Sequence, residues 1–182
     1  SKPFSSFFPG IAGKYGIPMW TFYVNRGQCI SSFGIKDKDH AILEFLPANK
    51  AWQSVSTHGF RTFLKVTKKS KTFFYEPFHN GFANLSYQIT NTLSILPYEL
   101  TIEEKNKSLG IITTVKYFNI PNDRYAGLAR ITILKNLNKE PLKIELLDGL
   151  PQIVPYGTNN FCLKKMSRTI EAWMGVENLE NH

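Results

Sequence analysis

Residues 117–157 read Tyr-Phe-Asn-Ile-Pro-Asn-Asp-Arg-Tyr-Ala-Gly-Leu-Ala-Arg-Ile-Thr-Ile-Leu-Lys-Asn-Leu-Asn-Lys-Glu-Pro-Leu-Lys-Ile-Glu-Leu-Leu-Asp-Gly-Leu-Pro-Gln-Ile-Val-Pro-Tyr-Gly. Two runs of period 2 flank the polar turn Asn136-Leu137-Asn138-Lys139. Ala129, Ile131 and Ile133 share one face of the first run; Leu142, Ile144 and Leu146 share one face of the second. Alternation of this kind predicts two half-buried, neighbouring strands. The second run ends in Asp148-Gly149-Leu150-Pro151, where Gly permits an unusual backbone angle and Pro ends the ladder. A sheet is therefore expected to pass its chain to a Pro-rich surface loop carrying one carboxylate.

The same periodicity recurs on both sides of this stretch. Met19–Val24 and Gln28–Phe33 flank Asn25-Arg26-Gly27, a hairpin signal with Gly in the turn. Further strands are predicted at Ala41–Leu46, Phe60–Val66, Thr72–Tyr75, Leu85–Ile89, Tyr98–Glu103 and Ile111–Phe118. About ten strands at spacings of roughly 8–15 residues give the rhythm of an all-β sandwich. One helix is predicted, over Met166–Met174: Ser167 is placed to cap it, and Met166, Ile170, Trp173 and Met174 share a side. The resulting division is an irregular lead-in over 1–16, a β-sandwich domain over 17–162, and a short helix opening a linker over 163–182.

Composition agrees with a strand-rich globular chain. Fourteen Phe, eight Tyr and three Trp in 182 residues favour pleated, half-buried surfaces. Hydrophobic residues make up 42% and charged residues 20%, the balance of an ordinary folded domain. Cys29 and Cys162 lack the paired spacing of a zinc site and are too few for a disulfide framework. No segment approaches the ~20 apolar residues of a membrane span, and Ser1-Lys2-Pro3-Phe4 opens no signal-peptide run. A cytoplasmic location is expected. The net charge of +8 raises nucleic acid as a partner. Its distribution argues against one, because the main cluster, Lys65, Lys68, Lys69 and Lys71, falls at a hairpin tip. Lysines there discourage edge pairing.

Catalysis requires groups that converge, and the sequence offers no convergent set. Glu103-Glu104 precedes a Lys-Asn-Lys turn and reads as a solvated pair. His40, His58, His79 and His182 form no metal spacing on any one element. No phosphate-cradling glycine loop is present. No catalytic residue, metal site or cofactor is expected. The connections carry more information. Residues 47–62, read as an irregular connection, bring Trp52, His58 and Arg61 together, and residues 75–81 add Glu76 and His79. Aromatic faces beside planar polar side chains suit sugar recognition, and loops carry function more often than cores do. Trp52, Arg61 and Glu76 are the substrate-binding candidates.

Several short motifs, taken in order, carry a resemblance. They are Gly16-Ile-Pro-Met-Trp, Asn25-Arg-Gly, Ser32-Phe-Gly, Glu44-Phe-Leu-Pro-Ala-Asn, Gly59-Phe-Arg-Thr-Phe, Tyr75-Glu-Pro-Phe and Asp148-Gly-Leu-Pro-Gln-Ile-Val-Pro-Tyr-Gly. Together they resemble the amino-terminal region of cellobiose/chitobiose-type glycoside phosphorylases over about residues 15–175. The resemblance implies an antiparallel super-sandwich of galactose-mutarotase-like architecture, followed in the full enzyme by a linker and a catalytic (α/α)-barrel. The whole enzyme would act on a β-linked glucoside and inorganic phosphate, with inversion and release of a sugar 1-phosphate. Its acid, the proton donor of inverting logic, would belong to the barrel. Asp148, Glu76 and Glu44 are accordingly not read as that acid, and this chain alone is expected to be inactive. The sandwich would support the barrel, build a homodimer and lend residues to the sugar site. Two other readings stand beside this one. The first is a free-standing carbohydrate-binding or assembly module. The second is a mutarotase-like epimerase using His58 or His79 with Glu76.

Overall fold

A computed structural model describes residues 4–8, 10, 12–79, 85–155, 157–166, 169 and 172. Its ten strands form three antiparallel sheets. Sheet A has the order β1-β2-β3, sheet B the order β10-β4-β5, and sheet C the order β6-β7-β8-β9. In chain order these are β1 (Ser5–Phe8), β2 (Met19–Val24), β3 (Ile30–Ile35), β4 (Arg61–Lys68) and β5 (Lys71–Tyr75). β6 (Ile89–Ile95), β7 (Leu100–Asn106), β8 (Ile111–Asn119), β9 (Leu128–Asn136) and β10 (Lys143–Gly149) follow.

Sheets A and B lie over the inner face of sheet C, one towards each end of its strands. β8 shows why. It alternates buried and half-buried residues along its whole length, with Ile111, Thr113, Val115, Tyr117 and Asn119 inward. Tyr117 and Val115, with Leu100 and Ile102 of β7, pack against Phe8, Tyr23, Ile30 and Phe33 of sheet A. Ile111, at the other end, packs with Leu64, Val66 and Tyr75 of sheet B. The result is an all-β antiparallel sandwich, each inner face burying the apolar half of a period-2 pattern.

Four local features depart from the sequence expectations. The stretch 47–62 is not an irregular connection, because α1 occupies Ala48–His58. The helix is therefore not confined to the C-terminus. Its buried residues are Ala51 and Val55, one turn apart, packing on Phe22 and Val24 on the outer face of sheet A. The lead-in over 1–16 contains β1, which pairs with β2 from Ser5↔Val24 to Phe8↔Thr21. Ala41–Leu46 forms only a bridge, Gly34↔Ala41, in place of a strand. The strand expected at Leu85–Ile89 starts at Ile89 instead.

The opening pair of strands also pairs differently. β9 and β10 are sequence neighbours in opposite layers: β9 pairs with β8, and β10 with β4. The polar turn is thus a crossover between layers. Ala129, Ile131 and Ile133 do share a face, and it is the outer one. Register against β8 decides this, because Tyr117, fully buried, sits opposite Arg130, and Val115 opposite Thr132. A shift of one residue would exchange every face.

At the C-terminus α2 spans Asn160–Met166. It begins before the predicted 166–174, with Asn159 as its cap: the Asn159 Oδ1 accepts the Cys162 N–H at 2.9 Å. Ser167, Ile170, Trp173 and Met174 lie outside the described residues. The lysine tip behaves as expected, with Lys68, Lys69 and Lys71 at the β4–β5 turn.

Candidate functional site

The outer face of sheet B is open, and its composition follows from register. Outward positions alternate with the buried Thr62, Leu64 and Val66 of β4, so Arg61, Phe63 and Lys65 point away from the core. Pairing sets Leu147 beside Phe63 and Glu145 beside Lys65 on one side, and Phe74 beside Lys65 on the other. Phe63, Lys65, Phe74, Glu145 and Leu147 line a concavity of about 540 Å³ together with Glu76 and His79. Phe74 is 76% exposed and Leu147 70% exposed. Large apolar side chains this open, on adjacent strands, mark a binding surface more often than scattered single ones do.

Ion pairs frame this apolar floor. Arg61 engages Glu76 with both arms of its fork, Nε to Oε1 at 2.8 Å and Nη2 to Oε2 at 3.0 Å. The same guanidinium lies 4.6 Å from the centre of the Phe63 ring. The hydrogen bonds that Arg61 donates to Glu76 raise its pKa further above its already high value, with burial opposing. His79 Nδ1 lies 3.7 Å from Glu76 Oε2. On the far side Lys65 Nζ reaches Glu145 at 3.0 Å. A carboxylate held in a bidentate pair is fixed in place with lone pairs left to accept further hydrogen bonds.

The structure brings two of the three sequence candidates together. Arg61 and Glu76 meet here, whereas Trp52 sits on α1 with different partners. Its Nε1–H donates to Asn25 Oδ1 at 3.2 Å, and the Arg26 guanidinium lies 4.2 Å from its ring centre. His58 ends the same helix, with Nδ1 3.0 Å from Thr57 Oγ1. Phe63, Phe74 and Leu147 went unread at the level of sequence. Their signal was present as apolar residues out of phase with the core alternation of β4, β5 and β10.

Two polar networks link the layers of the sandwich. Arg130 of β9 and Asp148 of β10 join across the layers, Nη1 to Oδ2 at 2.5 Å. Arg130 also donates to Gln28 Oε1 at 2.6 Å and to the Tyr117 hydroxyl at 3.3 Å. Asp148 therefore belongs to a strand and an interlayer network, not to a surface loop. Glu104 corrects the solvated-pair reading, since it is 1% exposed. Its Oε2 accepts the Phe78 N–H at 2.8 Å, and its Oε1 accepts the Tyr75 hydroxyl. Desolvation pushes its carboxyl up to about 7, with the Phe78 bond pulling the other way.

Among the described residues no group of three or more His, Cys, Asp and Glu side chains is placed to hold a metal ion. No described helix is long and apolar enough to cross a membrane. No protein-family model matches the chain, and no curated protein matches it either. The assignment of function therefore rests on the geometry and on the motifs.

Proposed function

We propose that this chain is the non-catalytic, amino-terminal β-sandwich domain of a glycoside phosphorylase of the cellobiose/chitobiose type, and that the outer face of sheet B contacts carbohydrate. The observation that carries the reading is the exposed Phe63, Phe74 and Leu147 lining one concavity with Glu76, which Arg61 holds in a two-armed pair. Sugar rings combine an apolar C–H face with hydroxyls. An aromatic floor edged by a fixed carboxylate and a fixed guanidinium offers partners to both. The motifs add support, because their positions fall on sheets A and B and their connections, while β6 to β9 carry none of them.

Within this reading the polypeptide lends a binding face and support, and the proton donor for glycosidic cleavage belongs to a separate barrel. Inorganic phosphate is a substrate of the whole enzyme, and the sandwich is its homodimer contact. The test is calorimetric titration of the purified chain with cellobiose, N,N′-diacetylchitobiose and laminaribiose. Binding weakened about tenfold by Phe74→Ala, equivalent to about 1.4 kcal/mol, supports the reading. Binding indifferent to both Phe74→Ala and Arg61→Ala overturns it.

A further inference from the structure

One end of the sandwich carries nearly all of the chain's net charge. Antiparallel pairing brings the β4–β5 turn, the β7–β8 turn and the β9–β10 crossover to that same end. Lys68 lies opposite Lys71, Thr67 opposite Lys143, and Ile111 opposite both Asn106 and Asn136. The segments 67–72, 105–112 and 135–144 that build this end hold eight lysines and one carboxylate, Glu140. Eight of the chain's 22 Lys and Arg against one of its 14 Asp and Glu put +7 of the formal +8 here and leave the remainder near neutral. Seven of these lysines are exposed. Among the described residues only Lys69 of the eight has a carboxylate nearby, Glu140 at 3.8 Å.

The backbone holds these charges together. Lys68 Nζ donates to Asn138 Oδ1 at 2.8 Å, and Asn138 Nδ2 donates to the Leu109 and Gly110 carbonyls at 2.9 and 3.1 Å. The Leu137 N–H reaches the Gly110 carbonyl at 2.8 Å. The three connections are thus stitched into one platform. Like charges directly across a ladder destabilise it, and Lys68 and Lys71 are so placed. Keeping sheet edges apart accounts for lysines at the β4–β5 tip. It does not account for Lys105, which lies on an inner strand of sheet C.

Four features select the partner. Concentrated positive charge asks for many negative groups on one surface. The three segments contain no aromatic residue and no arginine, so the platform has nothing to stack bases on and no fork to read them. The end is two sheets thick, roughly 10 Å between backbones before side chains are counted, and is too broad to enter a major groove of about 12 Å. Leu137, between Lys135 and Lys139 in sequence, is 41% exposed. An apolar side chain among cations has a place in a lipid headgroup layer and none on a phosphodiester backbone. A second copy offers no counter-charge, since the rest of its surface is near neutral.

We propose that this end of the sandwich docks on an anionic bilayer surface. The lysines of the three connections face the lipid phosphates and carboxylates, and Leu137 enters the headgroup layer. The sandwich lies on the membrane without crossing it. The proposal does not depend on the carbohydrate reading.

The test is co-sedimentation of the full chain with vesicles of phosphatidylcholine alone or with about 30% phosphatidylserine, in about 0.1 M salt, where the Debye length is about 10 Å. Binding is expected to the anionic vesicles only, and should vanish in about 1 M salt, where that length falls to about 3 Å. Lys135→Gln and Lys139→Gln should each weaken it about fivefold, the worth of one lysine at an anionic surface. Lys50→Gln, on α1, should leave it unchanged. Circular dichroism checks each fold. Duplex DNA and polyglutamate serve as competitors, and Leu137→Ser should weaken vesicle binding alone. Equal sedimentation with neutral and anionic vesicles, or none with either, overturns the proposal. Weakening by Lys50→Gln as large as by Lys135→Gln also overturns it, because net charge alone would then explain the binding. Tighter binding of duplex DNA or polyglutamate than of vesicles, indifferent to Leu137→Ser, overturns it in favour of a polymeric or acidic protein partner.

Discussion

Arg130 and Asp148 meet across the two layers of the sandwich, with Nη1 2.5 Å from Oδ2 and Nη2 2.8 Å from Oδ1. Their side chains are 9% and 20% exposed, so the two charged heads face each other more than they face water. Thr62 and Thr132 also donate to Asp148, at 2.6 and 2.9 Å. Asp148→Ala leaves a partly buried guanidinium without its counterion and should cost about 1–3 kcal/mol. The double variant Arg130→Met with Asp148→Leu should cost less than either single change to Ala, because no orphaned charge remains. Urea unfolding measures both. A double variant as unstable as the sum of its singles would count against a coupling between the two residues.

The carboxyls of Asp148 and Glu104 shift in opposite directions, and this gives stability two separate pH windows. For Asp148, burial is the largest influence and opposes ionisation, yet the bonds from Arg130, Thr62 and Thr132 together outweigh it and hold the carboxyl below its usual value. Its stabilisation is complete above the ordinary carboxylate range and disappears as pH falls through the lowered value. Glu104 behaves in reverse. Its carboxyl is raised from 4.5 to about 7 by burial, so the folded chain binds a proton that the unfolded chain has released. That contribution is fully present below about pH 4.5 and is lost as pH rises through 7, on the order of 3 kcal/mol in all. Unfolding at pH 5 and pH 8 should show the wild type more stable at pH 5. Glu104→Gln should flatten that difference while keeping an acceptor for the Phe78 N–H.

What the sequence disclosed about this fold was local. β7, β9 and β10 each announce themselves by alternation, and the all-β class follows from them and from the turn signals between strands. Partner choice was not disclosed: nothing in residues 128–149 says that β9 joins β8 while β10 crosses to β4, because pairing is settled by contacts far away in the chain. α1 was hidden for a different reason. Its sequence Ala-Asn-Lys-Ala-Trp-Gln-Ser-Val-Ser-Thr-His buries only Ala51 and Val55 and has no side-chain cap at Pro47, so its apolar stripe is two residues wide. The Arg130–Asp148 pair did leave a trace, a charged residue in phase with Leu128 and Leu134 in one strand and with Ile144 in the next. The candidate site was half legible, since Arg61 and Glu76 meet but Trp52 does not join them.

Trp52 separates a packing role from a binding role. It stacks on Arg26 and donates to Asn25, both in the β2–β3 hairpin, and so fastens α1 to the edge of sheet A. Trp52→Ala should cost about 1 kcal/mol, the worth of a partly exposed cation–π contact. It should leave carbohydrate affinity at sheet B unchanged. Loss of affinity in Trp52→Ala, with none in Phe74→Ala, would move the sugar site from sheet B to the helix.

Gly34 is the position where a single methyl group tests the packing of the 37–42 connection against sheet A. It pairs with Trp20 in the β2–β3 ladder and bridges to Ala41. A Cβ there would lie 2.3 Å from the His40 carbonyl oxygen and 2.8 Å from Ala41 Cα. Both are backbone atoms, so no side chain can swing away to make room. Gly34→Ala must push residues 40–41 off the sheet, at a cost of about 1–3 kcal/mol for overpacking. The same displacement strains two bonds that follow, Ile42 N–H to Phe33 O at 2.9 Å and Val154 N–H to Ile42 O at 2.6 Å. Hydrogen exchange should therefore accelerate at the Ile42 and Val154 amides, while the β7 and β8 amides in the centre of sheet C slow or speed only with global stability. Equal acceleration at all of these amides would mean that the glycine serves the whole sandwich and not this junction.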